Sequence, residues 1–310
     1  MQTVLKKYGT IIGLLIIITV FSILRPGTFL TVRNWSNIIE QISLLAIIAV
    51  GATVVMVIGE FDLSIANVAS FAGILTAILL VRDYSMFLVI PLVLSASFIF
   101  GMVNGFLVAK LNILSFITTL SSGTFLEGIT FWISGGTIIF SGIPDQFLIW
   151  GQGSFLKVPI VIWIMIMVAL IFWYLFNQTM FGRYLYAIGG NQKASRYSGI
   201  KIEKNKLLAF ALTSVLGALT GILLASKLGS AHPTSGGGYL LQAYATVFLG
   251  MTLFKQGEPN IPGTLIGVLI MGVLANGLTI LNVPNYFQDM LTGSIIIAAL
   301  VFQGLDRRKN

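Results

Sequence analysis

The stretch FGRYLYAIGGNQKASRYSGIKIEKNK, residues 181–206, decides how the rest of the chain is read. It is the longest polar, charge-bearing interval in a sequence that is otherwise nearly all apolar. Arg183, Lys193, Arg196, Lys201, Lys204 and Lys206 fall in it against one acid, Glu203. Gly189 and Gly190 are expected to break the segment before them, and Asn191 to N-cap the next turn. Residues 192–198 carry good helix formers, and Gly199 supplies a stop. A short basic helix between apolar spans either lies at the lipid headgroups or docks into a groove on a partner.

The flanking sequence settles the environment. Of 310 residues, 56% are hydrophobic and only 9% charged, where soluble domains run near 25% charged. Water-soluble folds cannot hide that much apolar surface, so the expected fold is an all-α polytopic membrane protein, residues 1–310 forming one transmembrane unit. There is no cysteine, hence no disulfide or thiolate metal site. The net charge of +8 reads as Lys/Arg-rich cytoplasmic loops rather than as a nucleic-acid surface. Lys6 and Lys7 precede an apolar run as in a signal peptide. No small-residue cleavage site follows residues 11–23, so an uncleaved first span is expected.

Ten spans are expected, at about 8–24, 35–58, 65–81, 86–109, 114–133, 157–176, 206–226, 240–254, 262–282 and 286–303. The eighth is too short to cross ~30 Å at ~1.5 Å per residue unless other helices shield it. With the N-terminus inside, the cytoplasmic segments and their borders hold Lys6, Lys7, Lys110, Arg183, Lys193, Arg196, Lys201, Lys204, Lys206, Lys255, Arg307, Arg308 and Lys309. These are 13 of the 18 cationic side chains, leaving Arg25, Arg33, Arg82, Lys157 and Lys227 outside. That asymmetry places both termini and the 181–206 stretch in the cytoplasm. The interval 134–156, rich in Gly, Pro and Ser, is the largest external feature and reads as a loop with a short amphipathic turn, a cap or a partner site.

GMVNGFLVAKLNIL (101–114) is echoed by GVLANGLTILNVP (272–284). The two copies end spans four and nine, which cross in opposite senses. An inverted repeat of spans 2–5 against 7–10 follows.

GRYLYAIGGNQKASRYSGI closely resembles the cytoplasmic coupling loop of the ribose-type permeases of ABC importers, which reads close to GRYIYALGGNxxAxRLSGI. The likeness continues in AHPTSGGGY (231–239), PGTLIGVLIMGVLANGL (262–278) and, more weakly, EFDLS (60–64). It spans nearly the whole chain. The family is the monosaccharide branch, akin to the autoinducer and nucleoside importer permeases. The resemblance implies a type II importer fold with such a repeat and a path for a monosaccharide, ribose first. It also implies a second permease copy or a sister permease, an extracytoplasmic sugar-binding protein and a cytoplasmic ABC ATPase that uses ATP-Mg, this chain binding no cofactor. The seat for the ATPase is then Gly182, Arg183, Gly189, Gly190, Asn191, Ala194, Ser195, Arg196, Tyr197, Ser198 and Gly199. This chain departs from the family's GGIDLS at Glu60 and Phe61 and lacks the acidic pair that usually follows SAQPTAGTGY.

Polar residues within or at the edge of spans are the path candidates: Asp62, Ser64, Asn67, Asn104, Glu127, Gln242, Thr246 and Asn276, joined by Gln41, Thr213 and Ser214. Neutral polar groups suit an uncharged polyol; the alternative for each is a helix–helix hydrogen bond. Asp62 is placed to cap a helix starting at Leu63 and to line an inner gate. Glu127 shares a polar stripe with Ser121, Thr124 and Thr130. Gly217, Gly221, Gly263, Gly267, Gly272 and Gly277 permit close helix approach, and Gly236-Gly237-Gly238 reads as a hinge. The sequence holds no phosphate-binding GxxxxGK[ST], no nucleophile–base pair and no metal cluster, so an enzyme is not expected. An ion-coupled secondary transporter is the reading from another class, with Glu127 as its support.

Overall fold

The computed structural model describes residues 2–253 and 257–307. Phe254, in the expected eighth span, and Lys255, Arg308 and Lys309, counted on the cytoplasmic side, lie outside the described residues. Each expected span corresponds to a helix: α1 (Gln2–Leu24), α3 (Val32–Val57), α4 (Ile65–Val81), α5 (Met86–Ala109), α6 (Ser115–Ser134), α8 (Ile160–Gln178), α11 (Ile202–Leu228), α12 (Tyr239–Gly250), α13 (Ile261–Ile280) and α14 (Asn285–Arg307). Between them lie α2 (Pro26–Phe29), α7 (Asp145–Gln152), α9 (Met180–Gly190) and α10 (Gln192–Tyr197). Boundaries follow local chemistry. The Thr31 and Asn260 side chains accept from Asn34 N and Gly263 N, and Gly135 and Gly229 end α6 and α11 in the left-handed region.

Helices α3, α5, α8, α11 and α13 are long and apolar enough to cross a bilayer. The 12 residues of α12 span only about 18 Å, as the short eighth run predicts. In α3, 83% of the most apolar stretch is buried, against 22% in α5. Helices α3 and α11 therefore form the centre, while α5 and α8 turn bare apolar faces outward, where lipid replaces water.

Close contacts fix helix directions. Alpha-4 runs parallel to α11, Ile65 against Gly217 and Ala69 against Gly221, and α5 runs antiparallel to α11, Gly101 against Phe210 and Gly105 against Leu207. Helix α13 runs antiparallel to α3, Thr264 bonding Thr53 and Asn276 bonding Asn34. Alpha-3 turns back into α4 through the 58–64 link, with Gly51 against Ile65. Hence α5 and α13 point opposite ways. Exchanging α3–α6 for α11–α14 also maps the packing onto itself: α5·α11 becomes α13·α3, α4·α11 becomes α12·α3, and α4·α6 becomes α12·α14. This is the inverted repeat. Asn104 and Asn276 are both buried, each about one turn from the end of its helix. The small residues serve the bundle itself, since a methyl group at Gly221 would stand 1.8 Å from the Ala69 carbonyl oxygen.

The 134–156 interval is strapped to the end of α11. Ser226 Oγ donates to the Phe147 carbonyl at 2.6 Å and accepts from Gly151 N at 2.8 Å. Phe147 is fully buried. A bridge pairs Ile139 with Ala231, and a short hairpin, β1 (Ser154–Phe155) and β2 (Val158–Pro159), leads into α8. Gly236 does not act as an open hinge. Its N–H donates to Ser70 Oγ at 2.9 Å and an added methyl would meet the Ala66 carbonyl at 2.0 Å, so it is a packing contact on α4.

Candidate functional site: a capped loop, a buried polar junction and a glutamine-lined cavity

The 181–206 stretch forms α9, α10 and the start of α11. Thr179 caps α9, its Oγ1 accepting from Gly182 N. Leu185 and Ile188 bury into the bundle. The expected break at Gly189-Gly190 is corrected by one position, because α9 continues through both and the chain turns at Asn191. Gly189 is there for close approach, since a methyl on it would lie 1.9 Å from the Val57 carbonyl. The Tyr186 hydroxyl donates to the Pro259 carbonyl at 3.0 Å. Burial, with Glu258 nearby, pushes this phenol up to about 12, so it stays neutral and the contact holds across physiological pH.

Helix α10 is built as its residues dictate. Asn191 Oδ1 accepts from Ala194 N at 3.0 Å, and Gly199 ends the turn at φ 80. Ser195 is 4% exposed and donates to the Asn191 carbonyl, so it faces the bundle, as does buried Gly182. Arg183, Gly190, Lys193, Ala194, Arg196, Tyr197, Ser198 and Gly199 face out. Tyr197 is 91% exposed. Arg196 is held by Glu203 at 2.6 Å. The outer face thus combines two small residues with an aromatic and a cation.

Around the 58–64 link the structure gathers several path candidates. Ser64 N and Oγ both donate to Asp62 Oδ1, at 2.9 and 2.5 Å, and Asn104 Nδ2 donates to Ser64 Oγ at 3.0 Å. Helix α4 starts at Ile65, as the apolar run 65–81 predicts but two residues after the Leu63 start that an Asp62 cap would give, because Asp62 closes a local turn on Ser64 instead of capping at Leu63. Tyr244 clamps the link, its hydroxyl accepting from Asp62 N and donating to the Asp62 carbonyl. Thr119 Oγ1 accepts from Leu63 N. Asp62 is fully buried, and burial pushes its carboxyl up to about 6 against the lowering effect of the Ser64 bonds. Among the described residues, Asp62 Oδ2 and Asn104 Oδ1 have no hydrogen-bond partner. Beside this junction Asn67 Nδ2 reaches the Gly123 carbonyl at 2.8 Å and Glu127 Oε2 at 3.3 Å.

Other candidates separate from these. Thr246 is buried on the Ala243 carbonyl, Thr213 on the Gly51 carbonyl, and Asn276 exchanges two 3.0 Å bonds with Asn34. Gln242 lines a cavity of about 310 Å³ with Gln41, Gln288 and Thr292. Tyr244, Asn34, Gln288 and Thr292 are not among the sequence candidates. Only Asn34 carries a local signal, the capping Thr31 three residues before it.

An all-helical bundle of two inverted halves, carrying a capped helical loop at one end and neutral polar side chains inside, is the architecture of a multi-pass membrane permease. Residues 34–300 match the model of the family described as branched-chain amino acid transport system / permease component, and the chain belongs to that family. It is 40% identical over 300 residues to the ribose import permease of Haemophilus influenzae, covering 96% of this chain and 93% of that one. It is 39% identical over 308 residues to the ribose import permease of Bacillus subtilis, covering 99% and 94%. The D-allose transport system permease of Escherichia coli is 34% identical over 301 residues, covering 96% and 92%. No solved structure matches.

Proposed function

We propose that this chain is the membrane-spanning permease subunit of an ATP-driven importer for a monosaccharide, ribose first. The observation that carries this is the outer face of α6. Ser121, Thr124, Glu127 and Gly128 are exposed on it, with Asn67 of α4 reaching across to Glu127. A carboxylate within a span is costly against acyl chains. These polar side chains suit a water-filled path shared with a second permease copy or a sister chain. The relatives' names, ribose import permease and D-allose permease, and the neutral Gln41, Gln242 and Gln288 cavity favour an uncharged polyol. The exposed Ala194 and Ser198 face is the seat of a cytoplasmic ATPase, and the strapped 134–156 interval faces an extracytoplasmic binding protein. The membrane is the cell membrane, with both termini inside, and residues 1–310 act as one unit.

The test is accumulation of labelled ribose by cells lacking their own ribose permease and expressing this chain with its ATPase and binding protein. Accumulation blocked by excess ribose is expected; no uptake of ribose, allose or arabinose would overturn the reading. Glu127→Leu is expected to leave membrane levels unchanged and to lower the uptake rate about tenfold, the worth of one charge-assisted hydrogen bond. Orientation is read separately. A cysteine replacing exposed Ser198 should be modified only by membrane-permeant maleimide, whereas ready labelling by an impermeant reagent from outside would reverse the topology. Ser195 is unsuitable for this because it is buried.

A further inference from the structure

At the end of the bundle that carries α10, a second cavity of about 360 Å³ opens between the close of α5 and the first turns of α11. Its walls have two levels. Phe106, Ala109 and Leu207 form an apolar level, and Lys110, Lys201 and Lys204 form a cationic rim. Lys110 folds back so that its Nζ lies 5.7 Å from the Phe106 ring centre. The single acid of the wall, Glu203, is committed to Arg196 at 2.6 Å. Among the described residues none of the three ammonium groups has a carboxylate partner. Three cations without carboxylate partners repel one another, a cost that an anionic occupant would offset.

The apolar level continues the outward face of α5, most of which lies open to lipid. An occupant that fills both levels carries an anionic head and hydrocarbon tails. We propose that this cavity is a binding site for an anionic phospholipid of the phosphatidylglycerol class, its phosphate among Lys110, Lys201 and Lys204 and an acyl chain along Phe106 and Leu207. Basic pockets between spans at the headgroup level recognise such lipids by this combination. The site lies directly after α10, so a bound lipid braces the base of the loop.

The experiment measures thermal unfolding of the full chain in nonionic detergent during titration with phosphatidylglycerol or phosphatidylcholine at matched ionic strength. Phosphatidylglycerol should protect and phosphatidylcholine should not. Each lysine removed near a lipid surface weakens binding roughly fivefold. The Lys110→Gln, Lys201→Gln, Lys204→Gln triple variant should therefore lose affinity by on the order of a hundredfold, while Lys→Arg at the same positions retains it. If the triple variant does not fold, the Lys204→Gln single variant must still show the roughly fivefold loss. Equal protection by both lipids, or undiminished affinity in the glutamine variants, would overturn the proposal. A matching shift with inorganic phosphate alone would make this a free-anion site and also overturn it. So would loss of a cytoplasmic partner from the variant with lipid affinity unchanged, which would hand the cavity to a protein surface.

Discussion

Ala194→Glu is expected to leave the protein inserted, folded and as heat-stable as its parent while reducing substrate uptake by on the order of a hundredfold, the effect of an uncompensated charge forced into a docked interface. The separation of fold from function follows from the geometry of α10. Ala194 is exposed; its backbone N–H already donates to Asn191 Oδ1. It is the third residue of a helix capped by Asn191. An acidic side chain in this first turn meets the positive end of the α10 dipole, so the helix itself is not weakened. What changes is the exposed outer face of Ala194 and Ser198 beside Tyr197, the proposed seat of the ATPase. Ala194→Gln separates charge from size and is expected to be far milder. The measurements are ATPase co-purification, stimulated ATP hydrolysis and uptake. Normal uptake with Ala194→Glu would return α10 to a helix lying at the headgroups, where one charge changes affinity by about 1 kcal/mol.

Helix existence and extent were legible because apolar runs and polar punctuation coincide. The run 86–109 became α5 (Met86–Ala109), the run 65–81 became α4 (Ile65–Val81), and Asn191 caps where its side chain predicts. The short Asn-Gly echo was enough to find the inverted repeat because Asn104 and Asn276 sit at matching ends of inverted helices. Partnerships inside the bundle were not legible. A helix apolar on every side gives no stripe to say which face packs. Nothing in the sequence pairs Asn276 with Asn34 or Asp62 with Tyr244, each 182 or more residues apart. The glycine pair at 189–190 misleads for a related reason. Glycine is read as a helix breaker in water-exposed segments, but packed against the Val57 carbonyl it is the only side chain that fits. Glu60, a departure from the family's pattern, gains its explanation only from its distant partner.

That partner is Lys206, and Lys206→Met is expected to destabilise the protein by about 3 kcal/mol or more, because it strands a mostly buried carboxylate. Lys206 Nζ lies 2.5 Å from Glu60 Oε1, with side chains 7% and 19% exposed. Helices α3 and α11 are further tied by Lys227 and Glu40 at 3.0 Å, so each end of this central antiparallel pair carries one bridge. The Lys206 end lies nearer the proposed ATPase seat. It stands in the second turn of α11, just past α10 in the chain. Glu60 stands on the 58–64 link, two residues from the Asp62–Ser64–Asn104 junction. If α10 seats an ATPase as proposed, α11 with this bridge, and Gly189 against the Val57 carbonyl, are the contacts through which a push on it would reach that junction. Removing both charges, Glu60→Gln with Lys206→Met, should restore the melting temperature because no buried charge is left unpaired. Uptake should stay low in the double variant if the bridge carries the movement, whereas full uptake would make it a strut alone. A Lys206→Met chain as heat-stable as the parent would remove the bridge from both roles.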